Sequence, residues 1–202
     1  MISINSISVS RGADPVIKGF SAKFKAGTIT AIIGPNGCGK STLLAAIAGD
    51  LPLANGIVKV AEKEIQNYSI SDLARLRSVV LQQPLFNLAF TVQEVLAMAR
   101  SAGSTLASEN AAIAKLAIND LVDRKVTQLS GGEKQRVAIA LAIAVNAPVL
   151  LLDEPLAAQD VESTKRIIEL LRAEAKAGKT IVLVAHVPES ELNWCDQIIK
   201  DF

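Results

Sequence analysis

The stretch GPNGCGKST, Gly34 to Thr42, follows a run from Thr28 to Ile33 that reads as a buried strand and precedes TLLAAIAG, which reads as a helix. It matches the phosphate-loop pattern GxxxxGK[ST] in its strand, turn and helix setting and predicts a nucleoside-triphosphate binder. Several backbone N–H groups must point inward at one anion, so Gly34, Gly37 and Gly39 are expected to supply permissive backbone. Lys40 is expected to reach the β- and γ-phosphates and Ser41 to offer its hydroxyl to Mg²⁺, with Asn36, Cys38 and Thr42 completing the loop. The positive end of the following helix then faces the anion. A glycine-rich turn without a ligand is the plain alternative, but an eight-position pattern in this setting is far more specific than a lone GxGxxG.

Two later stretches extend the reading: LSGGEKQRV, Leu129 to Val137, and VLLLDEP, Val149 to Pro155. Together with the phosphate loop they resemble the nucleotide-binding subunits of ATP-binding cassette transporters. The resemblance runs from about Ile7 to His186. It takes in, in order, the phosphate loop, a glutamine loop, the signature, the acidic strand end, a D-loop and a switch histidine. It implies an α/β fold of the phosphate-loop NTPase class: a mixed β lobe, a parallel-sheet core and a helical subdomain carrying the signature. One domain over residues 1–202 is expected, with the catalytic core at about 1–84 and 149–202 and the helical part at about 85–148.

Asp153 follows four apolar residues, so its carboxylate is expected at the carboxyl edge of a sheet, where open α/β folds bind ligands. There it would hold Mg²⁺ with Ser41. The resemblance gives the other roles. Glu154 would be the general base toward the attacking water. His186, the only histidine, would hydrogen-bond the γ-phosphate, although a lone histidine is by itself more often structural. Gln82 would sense Mg²⁺ and the γ-phosphate, with Gln83 the neighbouring choice. Ser130 and the N–H groups of Gly131 and Gly132 would contact the γ-phosphate held by an opposite subunit. Asp160 would sit in a D-loop crossing that interface. Two copies are therefore expected head to tail, as a homodimer or as a heterodimer with a second cassette.

The chain departs from the family pattern at several points. The D-loop reads AAQD where SALD is usual. Arg11, in VSRG, stands where cassettes commonly place an aromatic residue over adenine; its guanidinium can stack on a purine, and an exposed turn arginine is the other reading. Family members usually continue past the segment resembling CDQII, so a chain ending at Phe202 is either a compact variant or incomplete. Cys38 lies at a helix N-terminus near Lys40, a setting in which thiols are reactive. A small side chain chosen for fit is the equal alternative.

With 202 residues and 50% hydrophobic content, the chain can bury one substantial core. A net charge of +1 gives no pointer to nucleic acid. Two cysteines, Cys38 and Cys195, exclude a disulfide framework and suggest a reducing compartment. The N-terminus lacks a secretory profile. The apolar stretch Val137 to Leu152 is interrupted by Asn146 and Pro148 and reads as helix, turn and central strand, not as a membrane span.

From Ile2 to Val60 short β-branched runs, with turn signals at GADP and ANG, predict a mostly β lobe wrapped around the phosphate-loop strand. From Leu73 onward the pattern is helical, with starts at Thr91 to Glu94, a capping box, and at Ser108. Ser130 and Glu133 also fit a capping box, so two roles compete for the Ser130 hydroxyl. From Val149 a strand, a helix from Val161 to Ala177 closed by Gly178, and the strand TIVLVA predict a largely parallel sheet.

The expected function is an ATP-hydrolysing energy subunit at the inner face of a cell membrane, docked on a separate permease and, for an importer, served by a substrate-binding protein. PLFNLAF, with Phe86 and Phe90, borders the groove that receives the permease in the family, or else is core. The run Ala74 to Arg100 resembles iron-siderophore, haem and cobalamin importers, ahead of zinc or manganese importers. A soluble cassette ATPase acting in translation or DNA repair is the alternative.

Overall fold

The structure, a computed structural model, describes residues 1–11, 14–84, 86 and 89–200, the side chains of Arg11 and Asp14 excepted. Two sheets and six α-helices form among the described residues. The first sheet is antiparallel. β1 (Ile2–Arg11) pairs with β2 (Asp14–Phe24) on one side and β4 (Asn55–Val60) on the other, and β5 (Lys63–Glu64) extends it. The second sheet is parallel, in the order β6 (Arg77–Val80), β7 (Val149–Asp153), β8 (Thr180–Val184), β3 (Ile29–Ile32) and β9 (Gln197–Ile199).

The phosphate-loop strand β3 therefore belongs to the parallel sheet and is not enclosed by the β lobe. It spans one residue fewer at each end than the run Thr28 to Ile33. A parallel strand buried on both faces reads as a continuous apolar run, and its alternation serves two cores. Leu150, Leu152, Ile181 and Leu183 pack on one side with α3 (Val92–Ala97), α4 (Leu106–Lys115), α5 (Gly131–Ala144) and α6 (Val161–Lys176). Val149, Leu151, Val182 and Val184 pack on the other side with α1 (Lys40–Ala48) and the antiparallel sheet. α1 lies between two sheets, and Leu43, Leu44, Ala46, Ile47 and Ala48 are all buried. Hence it is apolar around its circumference rather than along one stripe.

Several local expectations need correction. The stretch after Leu73 is not continuously helical: α2 (Ile70–Leu76) ends where Arg77 turns extended, and RSVV forms β6 beside β7. Ser108 does not start a helix. Thr105 is the N-cap of α4, accepting from the Ser108 N–H, and Ser108 returns the bond to the Thr105 N–H at 3.0 Å. ANG is not a turn, since Asn55 and Gly56 already lie in β4. GADP includes residues outside those described. The Thr91 capping box and the closure of α6 by Gly178, at φ 100°, are present as expected.

Register positions the site. Val80 pairs with Leu152, Asp153 with Val184, and Ile32 with Val184. Four parallel strands thus finish at one edge, and the chain leaves them as Gln82, Asp153–Glu154, His186 and the phosphate loop. This is the edge at which open α/β sheets bind ligands.

Candidate nucleotide site

A cavity of about 700 Å³ opens at that edge, lined by Val16, Asn36, Gly37, Gly39, Lys40, Ser41, Thr42, Gln82, Glu154 and His186. Of the two adjacent glutamines, Gln82 lines it. Gly37 and Gly39 adopt φ of 78° and 104°, whereas Gly34 needs no left-handed backbone. A Cβ on Gly39 would stand 2.8 Å from Val16 Cγ1, so this glycine meets both a conformational and a steric demand. The helix that follows has no side-chain cap and no acid in its first turn. Its leading N–H groups and the positive end of its dipole remain for an anion.

Lys40 is buried, and its ammonium donates to the carbonyls of Gly34 and Pro35, both at 2.8 Å. It thereby closes the loop on itself while keeping a place in the cavity wall. Cys38 is only partly exposed, and its N–H donates to the Pro35 carbonyl at 3.4 Å.

Asp153 is 6% exposed, and its Oδ1 is buried without a hydrogen-bond partner. Burial pushes the carboxyl pKa up, against a hydrogen bond from Ser41 and the charges of His186 and Lys40; the neighbouring Glu154 adds to the rise. An orphaned buried carboxylate oxygen beside a serine hydroxyl is an oxygen-donor set suited to Mg²⁺. Glu154 follows at φ 49°, in the left-handed region, with its N–H bonded to the Val184 carbonyl at 3.1 Å. Its carboxylate meets His186, whose Nε2 lies 2.9 Å from Glu154 Oε1. The two groups expected to handle the attacking water therefore hold each other.

The remaining sequence candidates lie elsewhere. Ser130 is exposed and caps α5: its Oγ accepts from the Glu133 N–H at 3.2 Å, and its own N–H donates to Glu133 Oε2 at 2.7 Å. Capping uses an oxygen lone pair, whereas a phosphate needs the hydroxyl proton, so the two roles of Ser130 are compatible and need not alternate. Gly131 and Gly132 form the first turn of α5. Asp160 caps α6, accepting from the Ser163 N–H at 2.7 Å. None of Ser130, Gly131, Gly132 and Asp160 borders the cavity. The Arg11 side chain lies outside those described.

The sequence reading missed Val16, a residue of β2 that reaches the cavity from a distant part of the chain. It also missed the left-handed Glu154, which no local pattern announces.

The sequence profile described as ABC transporter matches residues 17–157. The chain belongs to that family. This cassette is an ATPase domain and binds ATP. It is similar to the "Hemin import ATP-binding protein HmuV" of Streptomyces coelicolor, with 40% identity over 185 residues covering 88% of this chain and 66% of that protein. It is also similar to the "Vitamin B12 import ATP-binding protein BtuD" of Yersinia enterocolitica, with 36% identity covering 98% of this chain and 81% of that protein. Among solved structures, a dimeric ATP-binding cassette in a post-hydrolysis state, bound to ADP and Pi, superposes with a TM-score of 0.86 at 27% identity. That match covers 99% of this chain and 94% of that one. No helix of the described residues is long and apolar enough to cross a membrane.

Proposed function

We propose that this chain is the ATP-hydrolysing, energy-coupling subunit of a membrane importer whose cargo is haem, cobalamin or a related iron chelate. The observation that carries the reading is the single cavity in which phosphate loop, Gln82, Glu154 and His186 meet while the signature turn stays outside it. The names of the curated relatives support import and not the soluble roles in translation or repair.

The cavity lining supports a division of labour. The N-terminus of α1 and Lys40 bind the phosphates. Ser41, Gln82 and Asp153 would hold Mg²⁺, which neutralises phosphate charge when bound. Glu154 accepts the proton of the attacking water, and His186 positions that water and the γ-phosphate. A second cassette, identical or homologous, supplies Ser130, Gly131 and Gly132 to this nucleotide, with Asp160 at the interface, so that ATP bridges a twofold pair. A catalytic core at about 1–84 and 149–202 and a helical part at about 85–148 divide the work between nucleotide and signature.

One groove supports the docking of a permease. An apolar groove of about 380 Å³ lies between the end of β6 and the helical part, lined by Leu81, Pro84, Phe86, Met98 and Leu141 among others. It begins next to Gln82, so the occupant of the groove and the γ-phosphate would be read by one loop. The subunit would work at the inner face of the membrane, with a substrate-binding protein on the far side.

The test is an affinity pull-down from detergent-solubilised native membranes with and without MgATP. Recovery of a multi-span permease is the expected result. Recovery of ribosomes, DNA or no membrane protein would overturn it.

A further inference from the structure

The D-loop departs from its family pattern at Gln159, and the structure gives that side chain a task. Its amide nitrogen donates to the Gly132 carbonyl at 3.1 Å, in the first turn of α5. Its amide oxygen accepts from Arg136 Nη1 at 3.3 Å. The same Nη1 donates to Ser163 Oγ at 3.1 Å, and Ser163 Oγ donates to Asp160 Oδ2 at 3.0 Å. One continuous relay therefore joins the backbone of the signature turn to the carboxylate of Asp160.

The approach that makes this relay possible is tight. A Cβ on Gly132 would lie 2.7 Å from the Ala158 carbonyl oxygen, so the loop rests on bare helix backbone. Ala158 itself is held at φ 57°, a conformation that residues other than glycine adopt only when their surroundings enforce it. A leucine of similar size could fill the position of Gln159. It could not bond either partner, because it has no donor or acceptor, whereas an amide offers both in one planar group.

We propose that Gln159 is a positioning residue that fixes the loop presenting Asp160 against the helix turn presenting Ser130, so that one chain offers both to its partner as a single rigid unit. The inference rests on the paired-cassette reading for its purpose, but the linkage itself is a property of one chain. Reach toward the other subunit's nucleotide is then set before the subunits meet, and little ordering remains to be done on closure.

The test is amide hydrogen exchange on the nucleotide-free protein, comparing wild type with Gln159→Leu and Gln159→Glu. Gln159→Leu is expected to speed exchange roughly tenfold, the scale of a lost hydrogen-bond pair, in 131–136 and 157–163 together. Exchange in α1 and β8 should not change. Gln159→Glu keeps an acceptor for Arg136 and should restore much of the protection around Asp160. Unchanged exchange in the two segments, or acceleration spread equally through α1 and β8, would overturn the proposal. Arg136→Met breaks the relay from its other side and carries the test if Gln159→Leu does not fold. A second readout is ATP-driven pairing in a Glu154→Gln background, where adding Gln159→Leu should raise the protein concentration needed roughly tenfold. Failure of Glu154→Gln alone to pair on ATP counts against the paired cassette, not against the linkage that exchange measures.

Discussion

Two helix N-termini in this molecule meet the same physical problem in opposite ways. α1 begins at Gly39 with no side-chain cap and no acid in its first turn, and its leading N–H groups face a cavity. α5 begins at Ser130 with a complete capping box and Glu133 in its first turn, and it faces solvent. The uncapped end is left for an external anion. The capped end is satisfied by its own side chains and keeps a hydroxyl proton and glycine backbone, which in the proposed pair would serve a ligand brought by another chain. On the proposed function, a helix end without a cap marks the half of the site that belongs to this subunit's own nucleotide.

The most damaging test of that comparison is Glu154→Gln. Turnover, measured as phosphate release, should fall about 10²- to 10⁴-fold, the usual contribution of a positioned base. Nucleotide binding to the single chain should stay within about twofold, since the N-terminus of α1 is untouched. Weakened binding would mean that Glu154 helps build the cradle itself. Alkylation of Cys38 should come next in effect. A bulky adduct inside the phosphate loop is expected to remove most turnover, and MgATP present during labelling should protect it. Full activity after stoichiometric labelling would show that the loop tolerates bulk where the fold predicts none.

Ser130→Ala addresses the capped end. It should lower stability by about 1 kcal/mol through loss of the cap, and leave nucleotide affinity of the single chain unchanged. Turnover of the pair should fall through loss of the hydroxyl. Equal losses in single-chain binding and turnover would contradict the assignment of this residue to the partner's nucleotide.

The smallest and most local effect is set by pH. The Ser130 backbone N–H, bonded to the Glu133 carboxylate, holds the Glu133 pKa below the usual range; burial opposes this and Arg124 assists it. A depressed carboxylate contributes stability that is fully present above its unfolded value, about 4.3, and is lost as pH falls through the folded value. Amide exchange in 131–134 should therefore accelerate in acid before exchange in 40–43, because α1 carries no carboxylate cap. Glu133→Gln should abolish the difference. Simultaneous loss in both helices would point to global unfolding instead.

How much could be read beforehand tracks how local each signal is. The phosphate loop, the capping boxes at Thr91 and Ser130 and the strands VLLLD and TIVLV depend on neighbours a few residues apart, and they stood in the sequence. β6 did not, because RSVV is short, opens with Arg77 and Ser78, and follows a helical run; only pairing with β7 makes it a strand. Ser108 passed for a cap because the third residue of a capping box is normally an acid, and here it is another hydroxyl. The contact of Val16 with Gly39 and the relay through Gln159 join residues that are distant in sequence. The departure of AAQD from its expected form was visible, but its partners were not.

The left-handed backbone at Glu154 also marks a place where stability could be gained. At φ 49° a glycine or an asparagine would fold with less strain, and a residue other than glycine held there costs about 1–3 kcal/mol. If Glu154 serves turnover as proposed, thermostability screens that ignore activity should recover Glu154→Gly among their gains.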